Sequence, residues 1–396
     1  MHTTVLVIGG GATGVGVARD LALRGVDVSL VDRGHLAAGT TGRSHGVLHS
    51  GARYAEADPD DAAACLAENR ILRDVAPACI SETGGYFLQL DGDDPDYFER
   101  KRAACADLDM PVETLSGDEL RERVPEASPT VERALAVPDG VVSPSRLVVA
   151  TAAAAREAGA TIHQYAPAED VIVEGGTVTG VDVGGRLDAT IRADAVVNAT
   201  GPWAEQCAAL ADISVPMRPT RGVMAAVSNP GVDAVLNRCR SPADGDIVVP
   251  RPDEAILGTT SVAVDDPDDF ERSEAEVERI VAECAAMCPS VDRAVKRTYW
   301  GVRPLYAPDE ADDARAISRD FALLDHAEAG AAGLVTIVGG KLTTYRRMAE
   351  ATADRVCDRL GISAACRTAD RPLPGTDDPS RLDALCDEFG VSAPAD

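Results

Sequence analysis

Lysine and aromatic side chains are scarce in this chain. Of its 396 residues only Lys101, Lys296 and Lys341 are lysine, and phenylalanine, tryptophan and tyrosine together make up 4%. Acidic residues number 65 against 38 basic ones, which gives a formal net charge of −27. At about 1 M salt the Debye length is ~3 Å, so self-repulsion of such a surface is screened. The composition favours a multimolar-salt cytoplasm over an acidic protein with basic partners, and it argues against nucleic-acid binding.

Two further features are missing from the sequence. No apolar run approaches the roughly 20 residues that span a bilayer, and the N-terminus enters a strand without a signal-like leader. We therefore expect a cytoplasmic protein that touches a membrane only through partners or its surface.

The ten cysteines form no framework of pairs. Cys284 and Cys288 lie four residues apart without further ligands nearby, so we predict buried free thiols and no metal site.

The N-terminal motif is the most informative part of the chain. The apolar run Thr4–Ile8 leads into Gly9, Gly11 and Gly14, and a second apolar run ends at Asp32 one helix later. The first glycine allows a tight turn, the second lets backbone approach a pyrophosphate at a helix N-terminus, and the third allows close helix packing. The acid falls where a carboxylate can accept ribose hydroxyls. This pattern predicts dinucleotide binding.

The segment after Asp32 indicates which dinucleotide is bound. Residues 39–54 form a long loop rich in glycine and polar side chains. Such a loop suits a long, bent cofactor that needs contacts beyond its adenosine half. No second GxGxxG motif occurs in the chain, so a separate nicotinamide site of that type is not expected. We predict one flavin and no NAD(P)H domain.

Strand-glycine patterns recur later in the chain and suggest a discontinuous cofactor domain. Residues 195–201 and 334–340 each read as a buried strand that ends in glycine, while three short strands between 161 and 183 suggest a small meander. With 45% hydrophobic residues the chain can form two domains. The predicted boundaries assign 1–76, 143–215 and 326–360 to a Rossmann-like α/β cofactor domain, 77–142 and 216–325 to an α+β substrate domain, and 361–396 to a C-terminal extension or linker.

Several cationic residues stand in motif-like contexts outside the first βαβ unit. Arg53, Arg303, Arg319 and Lys341 are flanked by glycine, proline or hydroxyl residues. Arginine matches phosphate and carboxylate oxygens in two-point contacts. We therefore favour the interpretation that these residues bind an anionic substrate over the one in which they are solvated surface charges or structural ion pairs. Lys341 is informative because the chain otherwise prefers arginine.

Two histidines lie on the loop that is expected to pass the flavin. An imidazole can take the proton from an alcohol as its hydride leaves for the flavin. His49 is the better candidate for this base. For His45 a structural hydrogen bond to backbone or flavin is at least as plausible.

At these motifs the chain resembles a known family. The stretches 42–54, 65–72, 301–305 and 339–347 are similar to the flavin-bearing, A-type subunit of anaerobic glycerol-3-phosphate dehydrogenase, and the resemblance covers about residues 3–375. It implies a D-amino-acid-oxidase-like fold and FAD-dependent oxidation of sn-glycerol 3-phosphate to dihydroxyacetone phosphate in glycerol catabolism. It also implies B-type and C-type partner subunits, which pass electrons to a membrane quinone, and hence a peripheral location on the inner membrane face. The acidic, lysine-poor composition suggests a haloarchaeal version.

The resemblance also implies roles for individual residues. With His49 as the candidate base from its place on the loop, Arg303 and Lys341 complete the predicted catalytic residues, although an arginine such as Arg303 is a poor base. Arg53, Tyr54, Arg303, Arg319 and Lys341 would bind the substrate. The residues expected to line FAD are Gly9, Gly11, Gly14, Asp32, Arg33, Arg43, Ser44, His45, Ala199, Thr200, Gly201, Gly339, Gly340, Lys341, Leu342 and Thr343.

The chain departs from the family pattern in two places. Single-subunit aerobic relatives carry Lys-Gly-Ser-His where this chain has residues 221–224, Arg-Gly-Val-Met, so a substrate-site histidine is missing. The anaerobic flavin subunits continue into a cysteine-rich domain that is expected to hold an iron–sulfur cluster. Here Cys357, Cys366 and Cys386 lack the spacing of cluster ligands. Either the sequence is truncated or electrons pass directly from FAD to a partner.

Two other functions remain compatible with the sequence. A related flavin dehydrogenase acting on an amino acid or a 2-hydroxy acid would share the fold. A carboxylate substrate needs fewer cations than a phosphate, which favours the phosphate. A non-catalytic flavin-bearing scaffold is the third interpretation, and the complete set of site motifs argues against it.

Overall fold

The computed structural model of the chain describes residues 1–291, 294–308, 320–376 and 378–391. The helices are α1 Ala12–Leu23, α2 Pro59–Val75, α3 Pro95–Asp107, α4 Gly117–Arg123, α5 Pro144–Glu157, α6 Ala204–Ala209, α7 Glu274–Met287, α8 Tyr345–Leu360 and α9 Pro379–Phe389. The strands are β1 His2–Ile8, β2 Val28–Asp32, β3 Val47–Leu48, β4 Ile80–Ser81, β5 Gly85–Leu90, β6 Glu113–Ser116, β7 Val131–Val137, β8 Gly140–Val142, β9 Thr161–Gln164, β10 Ala168–Glu174, β11 Thr177–Val183, β12 Ala189–Asn198, β13 Thr220–Ser228, β14 Val235–Arg238, β15 Ile247–Pro250, β16 Glu254–Gly258, β17 Val262–Ala263, β18 Arg297–Arg303, β19 Phe321–Asp325 and β20 Leu334–Gly339.

The first sheet has a parallel centre in the order β9-β2-β1-β12-β20. Ile8 lies opposite both Val31 and Asn198, so β1, β2 and β12 end at the same edge. Residues that follow these strands are therefore brought together there, as ligand-binding loops are in open α/β sheets. Helices α1, α5 and α8 bury their apolar faces in the core beside this sheet.

The predicted meander between residues 161 and 183 is wrong in one respect. Only β10 and β11 form an antiparallel hairpin, which extends the sheet along the N-terminal half of β12. Strand β9 instead lies parallel to β2 at the opposite edge. Helix α5 supplies the crossover that a parallel strand requires, and this explains why β9 does not join its sequence neighbours.

The second sheet follows the order β17-β13-β16-β15-β14-β5-β7-β6, with β18 also paired to β13. Its strands are antiparallel except for the pair β14 and β5. In a third, small sheet, β8 pairs with β3 from the loop after β2 and also with β4. Strand β19, which the sequence analysis assigned to the substrate domain, pairs instead with β20 of the first sheet.

The C-terminal extension folds back on the first sheet's helices. Leu382, Leu385 and Phe389 of α9 are buried in the same core as α1 and α5. The buried Arg19 of α1 donates to the carbonyl oxygens of Thr368 and Arg371. The described part of the extension is thus an integral layer of this unit. No helix within the described residues is long and apolar enough to cross a bilayer.

Candidate functional site: a dinucleotide cleft and a buried charged cluster

A cleft of about 750 Å³ lies at the carboxyl edge of the first sheet. Most of the residues predicted to line FAD form its walls, whereas Gly14 lies within α1, and His45 and Thr343 lie outside the wall. The predicted residues that do line the cleft are Gly9, Gly11, Asp32, Arg33, Arg43, Ser44, Ala199, Thr200, Gly201, Gly339, Gly340, Lys341 and Leu342.

The glycines of the first turn leave room where side chains would block it. Gly9 has φ of +114°, and a Cβ there would lie 2.5 Å from the carbonyl oxygen of Ala199. A Cβ on Gly14 would lie 1.8 Å from the carbonyl oxygen of Gly9. Gly11 differs because, among the described residues, the one atom that an added Cβ would meet is Thr41 Oγ1, at 3.3 Å. The helix start thus faces an open cradle suited to a pyrophosphate.

Asp32 holds the backbone of the turn from the end of β2. Its Oδ2 accepts a hydrogen bond from the amide of Gly10 at 2.6 Å, and its Oδ1 accepts one from the amide of Gly34 at 2.7 Å. A carboxylate has about four lone-pair sites, so both oxygens can accept further donors from the cleft. The geometry suits the predicted contact with ribose hydroxyls.

An ion pair and an indole ring close one side of the cleft. Both terminal nitrogens of Arg33 donate to Asp268, at 2.9 and 2.7 Å, and its guanidinium lies 4.3 Å from the centroid of the Trp203 ring. Trp203 Nε1 also donates to Asp268, at 2.9 Å. The Arg33 guanidinium lowers the pKa of the Asp268 carboxyl. We call these three residues the clasp. Arg33, predicted as a cofactor contact, therefore has protein partners.

The loop that follows Arg33 presents polar groups to the cleft. The Ser44 hydroxyl is buried and has no hydrogen-bond partner within the described residues. A buried hydroxyl without a partner is costly, so a bound ligand would stabilise it. The loop is fixed against the second sheet, since Thr40 Oγ1 donates to the carbonyl oxygen of Val302 at 2.5 Å. The Ser44 hydroxyl and the open cradle at the start of α1 together fit a dinucleotide.

Next to the cleft, charged and aromatic side chains meet in a group that we call the inner cluster: Tyr54, His45, His49, Asp61 and Lys341. Lys341 Nζ forms an ion pair with Asp61 and lies 4.4 Å from the centroid of the Tyr54 ring. The Tyr54 ring is in edge contact with His49, and His49 with His45. Two predicted substrate residues and both predicted histidines are thus brought together.

The two histidines are neutral at neutral pH. Burial, together with the charges of Arg53 and Arg303, lowers the pKa of His45 to about 3. Burial also holds the pKa of His49 well below its usual value, with contributions from His45, Arg53 and Lys341. His45 Nδ1 accepts a hydrogen bond from the amide of Val47 at 3.1 Å. A neutral imidazole at His49 has a lone pair available for a proton.

Arg53 is held by a buried network from the second sheet. Its Nη1 donates to Asn237 Oδ1 at 3.4 Å, and its Nη2 lies 3.8 Å from Asp246 Oδ2. Asn237 in turn donates to Asp139, at 3.5 Å, and Asp139 accepts from the amide and hydroxyl of Ser50, both at 2.7 Å. Burial raises the pKa of Asp139. This network links the Arg53 guanidinium to the backbone next to His49.

The remaining predicted cations occupy different situations. Arg303 ends β18 and donates to Thr259 Oγ1 at 3.2 Å and to the carbonyl oxygen of Thr260 at 3.0 Å. Arg319 lies outside the described residues. Arg221, in the stretch that departs from the family pattern, is buried and pairs with Glu276 at 2.8 Å. The Arg221 side chain therefore has a structural role in this chain.

The predicted site did not include the partners of its charged residues. These are Asp61 for Lys341, Asn237 and Asp246 for Arg53, and Trp203 and Asp268 for Arg33. Asp61 stands in the first turn of α2, where an acid is already favoured by the helix dipole, so its sequence context suggested only capping. Trp203 follows the predicted strand–glycine turn directly, and this proximity was a usable signal. The other three carry no local signal.

Comparison with known proteins identifies the family of the chain. Residues 4–346 match the family described as FAD dependent oxidoreductase (DAO). The chain belongs to this family of flavoproteins. The match confirms the predicted fold class and FAD as the cofactor.

Individual relatives narrow the class. The A1 subunit of anaerobic glycerol-3-phosphate dehydrogenase from Haloferax volcanii is 48% identical over 99% of this chain and 70% of its own length. The corresponding protein from Escherichia coli K12 is 42% identical over 96% of the chain and 71% of its own length. The glycerol-3-phosphate dehydrogenase of Bacillus halodurans, solved with FAD, has a TM-score of 0.74 at 26% identity, covering 98% of this chain and 71% of that one. The resemblance seen in the sequence is confirmed.

Proposed function

We propose that this chain oxidises sn-glycerol 3-phosphate to dihydroxyacetone phosphate with FAD as the hydride acceptor, as a step of glycerol catabolism. One observation carries the proposal on the structural side. Lys341 lines the dinucleotide cleft and lies 4.4 Å from the centroid of the Tyr54 ring, which is in edge contact with the buried His49. A cation that would bind the phosphate, a candidate base and the cofactor cleft are therefore neighbours.

Different groups of the cleft would hold the two halves of the cofactor. The carboxylate of Asp32 would accept the ribose hydroxyls, and the open helix start at Gly11 would hold the pyrophosphate. Ser44 and the turn from Gly339 to Leu342 would lie along the flavin half. When bound, FAD supplies a two-electron acceptor for the hydride.

The inner cluster provides the remaining chemistry. Arg53 and Lys341, together with Arg303, would bind the phosphate and hydroxyl oxygens and orient the substrate C2 carbon toward the flavin. The C2–H bond would break with its electron pair, which passes as hydride to the flavin. The neutral His49 imidazole would take the proton of the C2 hydroxyl, so that the alcohol becomes a ketone.

Anaerobic reduction of the bound flavin tests this reaction. The protein is purified in high salt, and its flavin absorbance is followed as sn-glycerol 3-phosphate is added. We expect bleaching with formation of dihydroxyacetone phosphate. Glycerol, D-lactate and D-alanine serve as matched controls. Bleaching by the 2-hydroxy acid or the amino acid alone would move the assignment to the related dehydrogenases, and an unreduced flavin with all four compounds would favour a non-catalytic scaffold.

The route of the electrons is a further part of the proposal. We expect reduced FAD to be reoxidised through B-type and C-type partner subunits, with a membrane quinone as final acceptor and a peripheral location at the inner membrane face. The similarity to proteins named as one subunit of a dehydrogenase supports this arrangement. Co-purification from membranes, followed by substrate-dependent reduction of a soluble quinone with and without the partners, tests it. Equal rates with and without partners would contradict their role.

A further inference from the structure

Asp61 is the buried partner of the proposed catalytic lysine, and no motif singled it out. It is the third residue of α2, and its amide donates to the capping side chain of Asp58 at 3.1 Å. The side chains of Asp61 and Lys341 are 4% and 7% exposed, and they pair across 280 residues of sequence. Helix α2 thus places a carboxylate at the junction of the dinucleotide cleft and the inner cluster.

The backbone around Lys341 is fixed independently of this pair. The amide of Lys341 donates to Thr344 Oγ1 at 3.3 Å, and Thr343 Oγ1 accepts from the amide of His49 at 3.0 Å. The lysine side chain itself carries a compact ammonium on a flexible stem of about four carbons, so a fixed backbone does not fix the charge. Asp61 and the ring of Tyr54 together restrict where the ammonium lies.

The sign of the Asp61 charge has a consequence for substrate binding. A carboxylate at the site disfavours a nearby phosphate dianion, so Asp61 does not serve to increase affinity for an anionic substrate. It does favour a fixed, charged ammonium. An interaction of this kind acts on the geometry of the reacting complex more than on the strength of binding.

We infer that Asp61 is a positioning residue that holds the Lys341 ammonium for hydride transfer, at some cost in substrate affinity. The inference rests on the proposed function, because it takes Lys341 to contact the substrate or the flavin. It assigns the acid a role that is separable from folding. The separation is visible when the limiting flavin reduction rate and the substrate dissociation constant are measured separately.

Stopped-flow reduction of the flavin by sn-glycerol 3-phosphate tests the inference in four proteins: wild type, Asp61→Asn, Asp61→Glu and Asp60→Asn. Asp60 is the exposed neighbour in the same helical turn and provides the matched control. We expect Asp61→Asn to lower the limiting reduction rate roughly tenfold to hundredfold, the range that a misplaced group produces. Its substrate dissociation constant should stay equal or fall. Asp61→Glu should recover part of the rate, and Asp60→Asn should match wild type.

A double-mutant cycle separates positioning from general damage. In a Lys341→Ala background, Asp61→Asn should change the reduction rate less than about threefold, because the ammonium that it positions is absent. An undiminished effect in that background would overturn the inference, as would weaker substrate binding at an unchanged rate. If Asp61→Asn does not fold, the rate with Asp61→Glu decides, since a displaced carboxylate should still slow reduction. Wild type that is not reduced by sn-glycerol 3-phosphate would instead overturn the proposed function.

Discussion

The cleft and the inner cluster are built from different kinds of group. In the cleft, the turn at Gly9 and the helix start at Gly11 present backbone groups, and the carboxylate of Asp32 holds that turn. In the inner cluster, Lys341 and Asp61 form a buried pair under a tyrosine ring. The cleft is therefore sensitive to the size of a side chain, and the cluster is sensitive to its charge. Substitutions that test one property in both regions should separate cofactor binding from turnover.

Lys341→Ala should give the largest effect and should confine it to turnover. Loss of one preorganised cationic donor typically lowers a catalytic rate by about 10² to 10³. The FAD content should remain that of wild type, because Lys341 is only one of many residues along the cleft. Steady-state kinetics measures turnover, and the flavin absorbance per mole of protein measures the FAD content. Unchanged kinetics would remove Lys341 from the site.

The glycines of the first turn provide the matching test in the cleft. Gly14→Ala places a Cβ 1.8 Å from the Gly9 carbonyl oxygen, so we expect a loss of about 1–3 kcal/mol in stability and a loss of FAD. Gly11→Ala adds a Cβ whose close contact is the Thr41 hydroxyl, at 3.3 Å, and not the backbone. It should therefore leave the apoprotein as stable as wild type while weakening FAD binding. Thermal melting of both apoproteins and FAD titration distinguish the two effects, and equal melting temperatures for the two variants would contradict the comparison.

The difference between the regions also explains what could be predicted from the sequence. Parallel strands bring their carboxyl ends to one edge, so the turns at Gly9, Asp32, Ala199 and Gly339 could be placed together from motifs alone. The partners in the cluster could not. Asp61 lies 280 residues from Lys341, and this pairing depends on how α2 packs against the turn after β20.

The second sheet shows the same limit. Asn237 reads in the sequence as a polar residue in an ordinary strand, yet it is wholly buried and accepts from Arg53 over a separation of 184 residues. Strand alternation predicts which face a residue occupies but not which distant side chain it meets. Residues 321–325 were placed in the range of the substrate domain for a related reason, because the antiparallel pairing of β19 with β20 is not specified by its short apolar pattern.

The acidic surface predicts that salt stabilises the whole molecule. With a net charge of −27, transfer from multimolar salt to about 0.1 M removes the screening of like charges. We expect FAD release or unfolding, with a melting temperature lower by at least several degrees. The Escherichia coli relative, measured in the same buffers, serves as the control. Full stability at low salt would contradict a halophilic origin for the composition.

The clasp should show a smaller effect, confined to the cofactor. Asp268→Asn removes an ion pair whose two side chains are about half exposed. Exposed pairs contribute about 0.2–1 kcal/mol, so we expect FAD to dissociate up to several-fold faster. Asp269→Asn, at an exposed neighbouring acid, is the matched control. The rate of flavin fluorescence recovery after dilution measures release, and equal rates for the two variants would show that the clasp does not retain FAD.

The smallest effect is expected from pH, because the histidines of the cluster are buried. Burial holds the pKa of His49 well below 6.5, so its neutral, proton-accepting form persists as the pH falls through the range in which an exposed histidine becomes charged. The flavin reduction rate divided by the substrate dissociation constant should therefore stay flat from about pH 8 down to about pH 6, apart from titration of the substrate phosphate. Glycerol 3-phosphonate analogues with shifted ionisation identify that contribution. An acidic limb near pH 6.5 that follows the protein and disappears in His49→Gln would place His49 in a solvated environment and contradict the buried cluster.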